Sequence, residues 1–103
     1  MHPTSDDPVD DRDARQMRLD LDGEQAVAQY ERSGDVITFT HTFVPESMRG
    51  HGIASRLVEA GLRMARAEHL KVVPQCPMVA AYMKAHGETH DLLNDAGRAL
   101  IDD

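Results

Sequence analysis

The sequence predicts a single α+β domain: a mixed β-sheet with helices packed on it, in the order β-β-β-α-β-α. Three observations carry that prediction. The first half holds three strand-like stretches separated by short turns. The second half opens with one long apolar stripe at helical spacing. A short apolar run bounded by a proline then follows, too short for a second core helix. At 103 residues the chain has room for one domain and no more.

Met17, Leu19 and Leu21 alternate with Arg18, Asp20 and Asp22, the period of a half-buried strand. Asp22-Gly23 is a hairpin pair, because such a turn needs left-handed backbone. Ala26 to Tyr30 is the second strand, Ser33-Gly34-Asp35 the next turn, and Val36 to Val44 the third and strongest strand, rich in β-branched and aromatic residues. Short turns make the three an antiparallel meander. Pro45 ends it. Ile53, Leu57, Val58, Leu62 and Ala65 then form the helical stripe, predicting a helix over 51–68. Leu70 to Val73 reads as a buried strand, parallel to its predecessor because a helix crosses between them. Pro77 suits the first turn of a second helix that runs to His86 and stops at Gly87. Residues 91–101 suggest a short C-terminal helix.

Residues 1–14 carry Asp6, Asp7, Asp10, Asp11 and Asp13 against Arg12, with two prolines and almost no large apolar side chain. That composition predicts a disordered acidic tail, leaving 15–103 as the domain. The net charge of −7 disfavours nucleic acid and anionic lipid as partners. A single cysteine excludes an internal disulfide framework, and no stretch approaches the ~18 apolar residues of a membrane span. The acidic start is unlike a signal peptide, so a cytoplasmic protein is expected. His86 and His90 have helical spacing, but Gly87 interrupts it, and no metal site is expected.

The segment Arg49-Gly50-His51-Gly52-Ile53-Ala54 lies between a strand and a helix. Glycines allow close backbone approach, and the first N–H groups of a helix are unpaired at its positive end, which suits phosphate or pyrophosphate. The same glycines would also serve a plain strand-to-helix turn. A P-loop would need Gly-Lys-Ser/Thr where Ile53-Ala54-Ser55 stands, and a dinucleotide fingerprint would need a third glycine or alanine at Ser55.

Arg49-x-x-Gly52-x-Ala54 resembles the Q/R-x-x-G-x-G/A acyl-CoA loop of the GNAT acetyltransferase superfamily. With Phe39-Thr-His-Thr, Val44-Pro45, Val73-Pro74, Cys76-Pro77 and Ala81-Tyr82 in order, the chain resembles its compact single-domain N-acetyltransferase-domain branch, over about residues 16–93. The resemblance implies acetyl-CoA as cofactor. It places the pyrophosphate on the loop Arg49, Gly50, His51, Gly52, Ile53, Ala54 and Ser55, and the pantetheine arm along Phe43 and Val44. It also implies that the third strand and 70–75 splay apart to admit the thioester. The acceptor would be an amine of a small molecule or a protein. Full-size relatives carry extra helices and strands around the acceptor pocket that are missing here, so the alternative is a non-catalytic acyl-CoA-binding or interaction module.

Three residues are candidates for chemistry. Cys76 precedes Pro77 at a helix start, where a thiolate is favoured. It could take the acyl group or hand a proton to the CoA sulfur. It could equally be a small packed residue. His41 shares the expected apolar face Ile37, Phe39, His41, Phe43, where an imidazole could act as base beside Cys76, or be a hydrogen-bonded core histidine. Tyr82 matches a position that carries a general acid in GNAT enzymes; the plainer reading is a core stripe with Val79 and Met83. Glu46, beside Pro45, reads as an exposed turn carboxylate. The exposed edge of a small sheet allows a monomer or a weak homodimer.

Overall fold

A computed structural model describes residues 7–102 of the chain. Five strands form one sheet in the order β1(Val9–Asp11), β2(Gln16–Leu21), β3(Glu24–Ser33), β4(Val36–Phe43), β5(Lys71–Pro74). The first four are antiparallel neighbours and β4–β5 is parallel, as the crossover through α1(Ile53–Ala67) requires. Asp22 and Gly23 both have positive φ, 54° and 81°, the geometry of a tight two-residue hairpin.

The helices pack on one face of the sheet. Met17 and Leu19 of β2, Ala26, Ala28 and Tyr30 of β3, and Ile37 and Phe39 of β4 are buried there. The α1 stripe Ile53, Leu57, Val58, Leu62 and Ala65 is buried against them. After β5, Pro77 opens α2(Pro77–Ala85), then a 3-10 turn spans Gly87–Leu92, and α3(Asp95–Ile101) closes the chain. The C-terminal helix is therefore shorter than 91–101, because Gly87–Leu92 winds as the tighter helix. Asn94 caps α3 by accepting from the Gly97 N–H at 2.8 Å. Leu93 makes an isolated bridge to Val72, which draws α3 alongside β5.

Two expectations need correction. The first concerns the acidic tail: residues 1–6 of it lie outside the described residues, but Val9–Asp11 is a strand on the free edge of β2. Its aspartates are matched. The Tyr30 hydroxyl donates to Asp10 at 2.5 Å, Arg12 pairs with Asp10 at 3.0 Å and with Glu68, and Arg18 pairs with Asp11 at 2.9 Å. Composition could not register an edge that supplies backbone partners and arginines. The second concerns β4. Tyr30 pairs with Phe39 but Gln29 pairs with His41, so Thr40 is an extra residue in the ladder, a β-bulge. Ile37 and Phe39 are buried, but His41 and Phe43 are exposed, and Thr42 turns toward the helices in their place.

Candidate functional site

The β4–β5 ladder ends at Phe39 and Pro74, while β4 runs on to Phe43. A last bond, from the Cys76 N–H to the Phe39 carbonyl at 2.9 Å, closes the fork. Beyond it, no described residue pairs with β4 on its β5 side, so its outer end is open backbone edge. The two strands part as the resemblance implied.

The chain then turns through Pro45 and the 3-10 turn Glu46–Met48, anchored by the buried Met48. The Arg49 Nε–H donates back to the Val44 carbonyl at 3.1 Å, tying the loop to the end of β4. Gly50 and Gly52 hold φ of 84° and 71°, the left-handed region that side chains disfavour, and a Cβ at either would project into open space. Gly52 is the N-cap of α1 and no side chain caps that end, so the first N–H groups of a fifteen-residue helix face outward. The first turn carries no acidic residue.

These parts enclose a cleft of about 330 Å³ lined by Thr42, Phe43, Val44, Met48, Arg49, Gly50, Gly52, Ile53, Ala54, Ser55 and Met78. Every residue expected at the cofactor lies on it except His51, which faces the adjoining hollow with Asp22, Glu24 and Arg56. On a chain of net charge −7, a lining with Arg49 and no carboxylate is a local exception. Two apolar side chains flank the cleft half-exposed, Phe43 and Met78. The uncapped amides, the bare glycines and the cationic lining fit a pyrophosphate, and the open β4 edge beside apolar walls fits the amides of a pantetheine arm.

The candidates for chemistry do not all gather here. Cys76 stands at the N-cap of α2, 4% exposed, and its Sγ lies 3.3 Å from Thr42 Oγ1. Thr42 lies between that sulfur and the cleft. His41 is not beside Cys76: the bulge turns it to the opposite side of β4, where it is exposed and opposite Gln29. Tyr82 lines a different hollow, with Glu59, Arg63 and Glu88, and its ring stacks on His86 at 4.0 Å and 12°. Burial, then the nearby Glu59 and Glu88, push the Tyr82 hydroxyl above its ordinary value. His86 and His90 are bonded to the Tyr82 and Met83 carbonyls, each at 2.7 Å, at the end of α2. Glu46 is exposed. Thr42, Met48 and Met78 were not anticipated. Met48 and Met78 had a signal, apolar residues flanking the glycine loop and the Cys76-Pro77 step. Thr42 had none, since its placement depends on the bulge.

A family model described as GCN5-related N-acetyl-transferase matches residues 16–92. The chain belongs to the GCN5-related N-acetyltransferase family. Among curated proteins it is similar to Protein NATD1 of Mus musculus, 38% identical over 77 residues that cover 72% of this chain and 70% of that protein. Protein NATD1 of Homo sapiens is likewise 38% identical over 77 residues, covering 72% and 68%. The Xenopus tropicalis protein is 36% identical over 88 residues, covering 82% and 81%. The match to the GCN5-related family spans β2 to the 3-10 turn after α2, and so includes the whole cleft.

Proposed function

We propose that this chain is an N-acetyltransferase that binds acetyl-CoA in the cleft at the head of α1 and passes the acetyl group to an amine. The observation that carries the reading is the run of unpaired backbone from the open edge of β4 to the uncapped N-terminus of α1, in a chain of this family. In this reading the amides of residues 50–55 hold the pyrophosphate. Thr42 to Val44 bond the pantetheine amides, and the thioester lies in the fork against Thr42 with Cys76 behind it.

Holding the thioester fixed supplies much of the catalysis through proximity. The amine nitrogen, entering neutral, bonds to the thioester carbon and the carbon–sulfur bond breaks; the nitrogen gives up one proton to solvent water, the leaving sulfur takes one, and solvent restores the donor. The Thr42–Cys76 pair stands nearest to that sulfur, so Cys76 is assigned the proton, relayed through the Thr42 hydroxyl. Because Thr42 stands over Cys76, direct transfer is favoured over an acyl-cysteine route. A cytoplasmic protein, a monomer or weak homodimer, and an amine of either a small molecule or a protein belong to the same reading. No described helix is long and apolar enough to cross a membrane.

One observation favours the second reading, a non-catalytic acyl-CoA-binding module: neither His41 nor Tyr82 reaches the cleft, which leaves no side-chain base in its lining. Thermal unfolding with acetyl-CoA, CoA, ATP and NAD tests both. A ligand at ~100 times its Kd adds about 2.7 kcal/mol, and about 1 kcal/mol moves the midpoint of a domain this size by roughly 4–8 °C. Stabilisation by acetyl-CoA and CoA alone supports the cofactor, and acetylated product from an amine panel then separates enzyme from module. No shift at saturating acetyl-CoA overturns both.

A further inference from the structure

We propose that Thr42 and Cys76 form an acyl-length gate that limits the bound acyl group to a short chain of about three carbons or fewer, because a close-packed interior cannot absorb further methylenes. The proposal rests on the acetyl-CoA reading and specifies its substrate class.

A group entering along the open edge of β4 from the glycine loop advances toward the fork. The fork is shut at its base by the Cys76 N–H bond to the Phe39 carbonyl. Before that base it meets Thr42, which lines the cleft. Directly behind the threonine, 3.3 Å from its hydroxyl, is the Cys76 sulfur, itself buried. Cys76 belongs to the same core as Val79 and Met83, both with no exposed surface. The cleft thus ends on one half-buried side chain backed by packed core. An acetyl group needs little depth. Each added methylene must push Thr42 onto Cys76, and Cys76 onto α2. The gate is steric: the volume of the Thr42 side chain fills the space, and its contact with the sulfur holds the rotamer.

The test measures binding of CoA, acetyl-, propionyl-, butyryl- and hexanoyl-CoA to the wild type, Thr42→Gly, Thr42→Ser and Thr42→Val. The wild type is expected to hold hexanoyl-CoA about tenfold or more weaker than acetyl-CoA. Thr42→Gly should narrow that ratio at least threefold, about 0.65 kcal/mol. Thr42→Ser, which keeps the fold more securely in a strand, should narrow it in the same direction. Thr42→Val keeps the volume without the hydroxyl and should leave the ratio unchanged. A flat ranking in the wild type overturns the gate, as does a valine variant that relaxes like glycine. CoA itself separates the two levels. If CoA binds and the acyl ranking is flat, the gate falls and the cofactor reading stands; if CoA does not bind, both fall.

Discussion

The Tyr30 hydroxyl donates to Asp10 Oδ1 at 2.5 Å, tying the edge strand β1 to the middle of the sheet. The tyrosine ring packs edge-on against Phe39, with centroids 6.1 Å apart. Burial first, and the Asp10 carboxylate second, push this hydroxyl up to about 12, with Arg12 and Arg32 opposing. The folded value lies above the ordinary tyrosine value of about 10, so the native state holds its proton more tightly. Its contribution to stability is complete below about pH 10 and is lost as pH rises toward about 12. Tyrosinate absorbance should show a late phase that Tyr30→Phe abolishes. The variant keeps the ring but loses a hydrogen bond to a charged group, costing about 1.5–3 kcal/mol.

On the acid side the sign reverses. Glu68 is held below its ordinary range by hydrogen bonds from Arg12 and then Arg32, and Asp91 by its bond from Arg66. Their contribution is present above the unfolded values, about 4.3 and 3.9, and fades as pH falls through the folded ones. Arg12, Arg66 and Asp91 are exposed and Glu68 and Arg32 partly so, which lets solvent and salt screen the pairs and keeps the effect small. Midpoints measured across that window should fall less steeply in Glu68→Gln than in the wild type, and the difference should shrink in high salt.

Gly97 lets α3 lie directly on β5. A Cβ there would stand 2.4 Å from the Val72 carbonyl oxygen, which is backbone and cannot step aside. Gly97→Ala should lower stability by about 1–3 kcal/mol, read as a fall of several degrees in the unfolding midpoint.

Gly52→Ala combines a backbone cost with a site effect. Its φ of 71° makes any side chain strained, by roughly 1–2 kcal/mol, and the new methyl stands in open space at a residue that lines the cleft. Gly34 has φ of 60° and open space around it, in the β3–β4 turn. Gly34→Ala should therefore match the stability loss but retain CoA binding, which Gly52→Ala should lose. Equal CoA affinity in the two variants would remove the loop from the site.

His41→Ala and Tyr82→Phe should each leave CoA affinity and acetyl transfer within about twofold, because neither residue lines the cleft. Cys76→Ala should depress transfer with CoA affinity retained. Steady-state rates on one responsive amine check all three variants.

Much of this was legible before the structure. The α1 stripe, the Asp22-Gly23 hairpin, Pro77 at the start of α2 and the glycine loop are local signals, and local signals survive in sequence. What escaped depends on distant partners. Val9–Asp11 is a strand because β2 offers a free edge and Tyr30, Arg12 and Arg18 meet its aspartates. Strict alternation misplaces His41, because the strand contains one residue more than its partner at this point. Position 40 is a threonine, as good a strand former as its neighbours, and nothing in its chemistry announces the break.

That surplus residue works like a phase setting. Along a strand, side chains alternate, so a residue bulged out of the ladder inverts everything downstream of it relative to strict alternation of the sequence. Whether Thr40 is bulged or paired therefore decides whether a hydroxyl or an imidazole stands over the only cysteine of the chain. Pairing Thr40 into the ladder as an ordinary residue would shift His41 and Phe43 inward while carrying Thr42 outward, whereas deleting it would leave the facing of all three as it stands. Pairing it would change the chemistry presented at the fork wholesale with no side chain redesigned, which makes the register of the ladder at this point, rather than any one catalytic group, the variable that sets the character of this cleft.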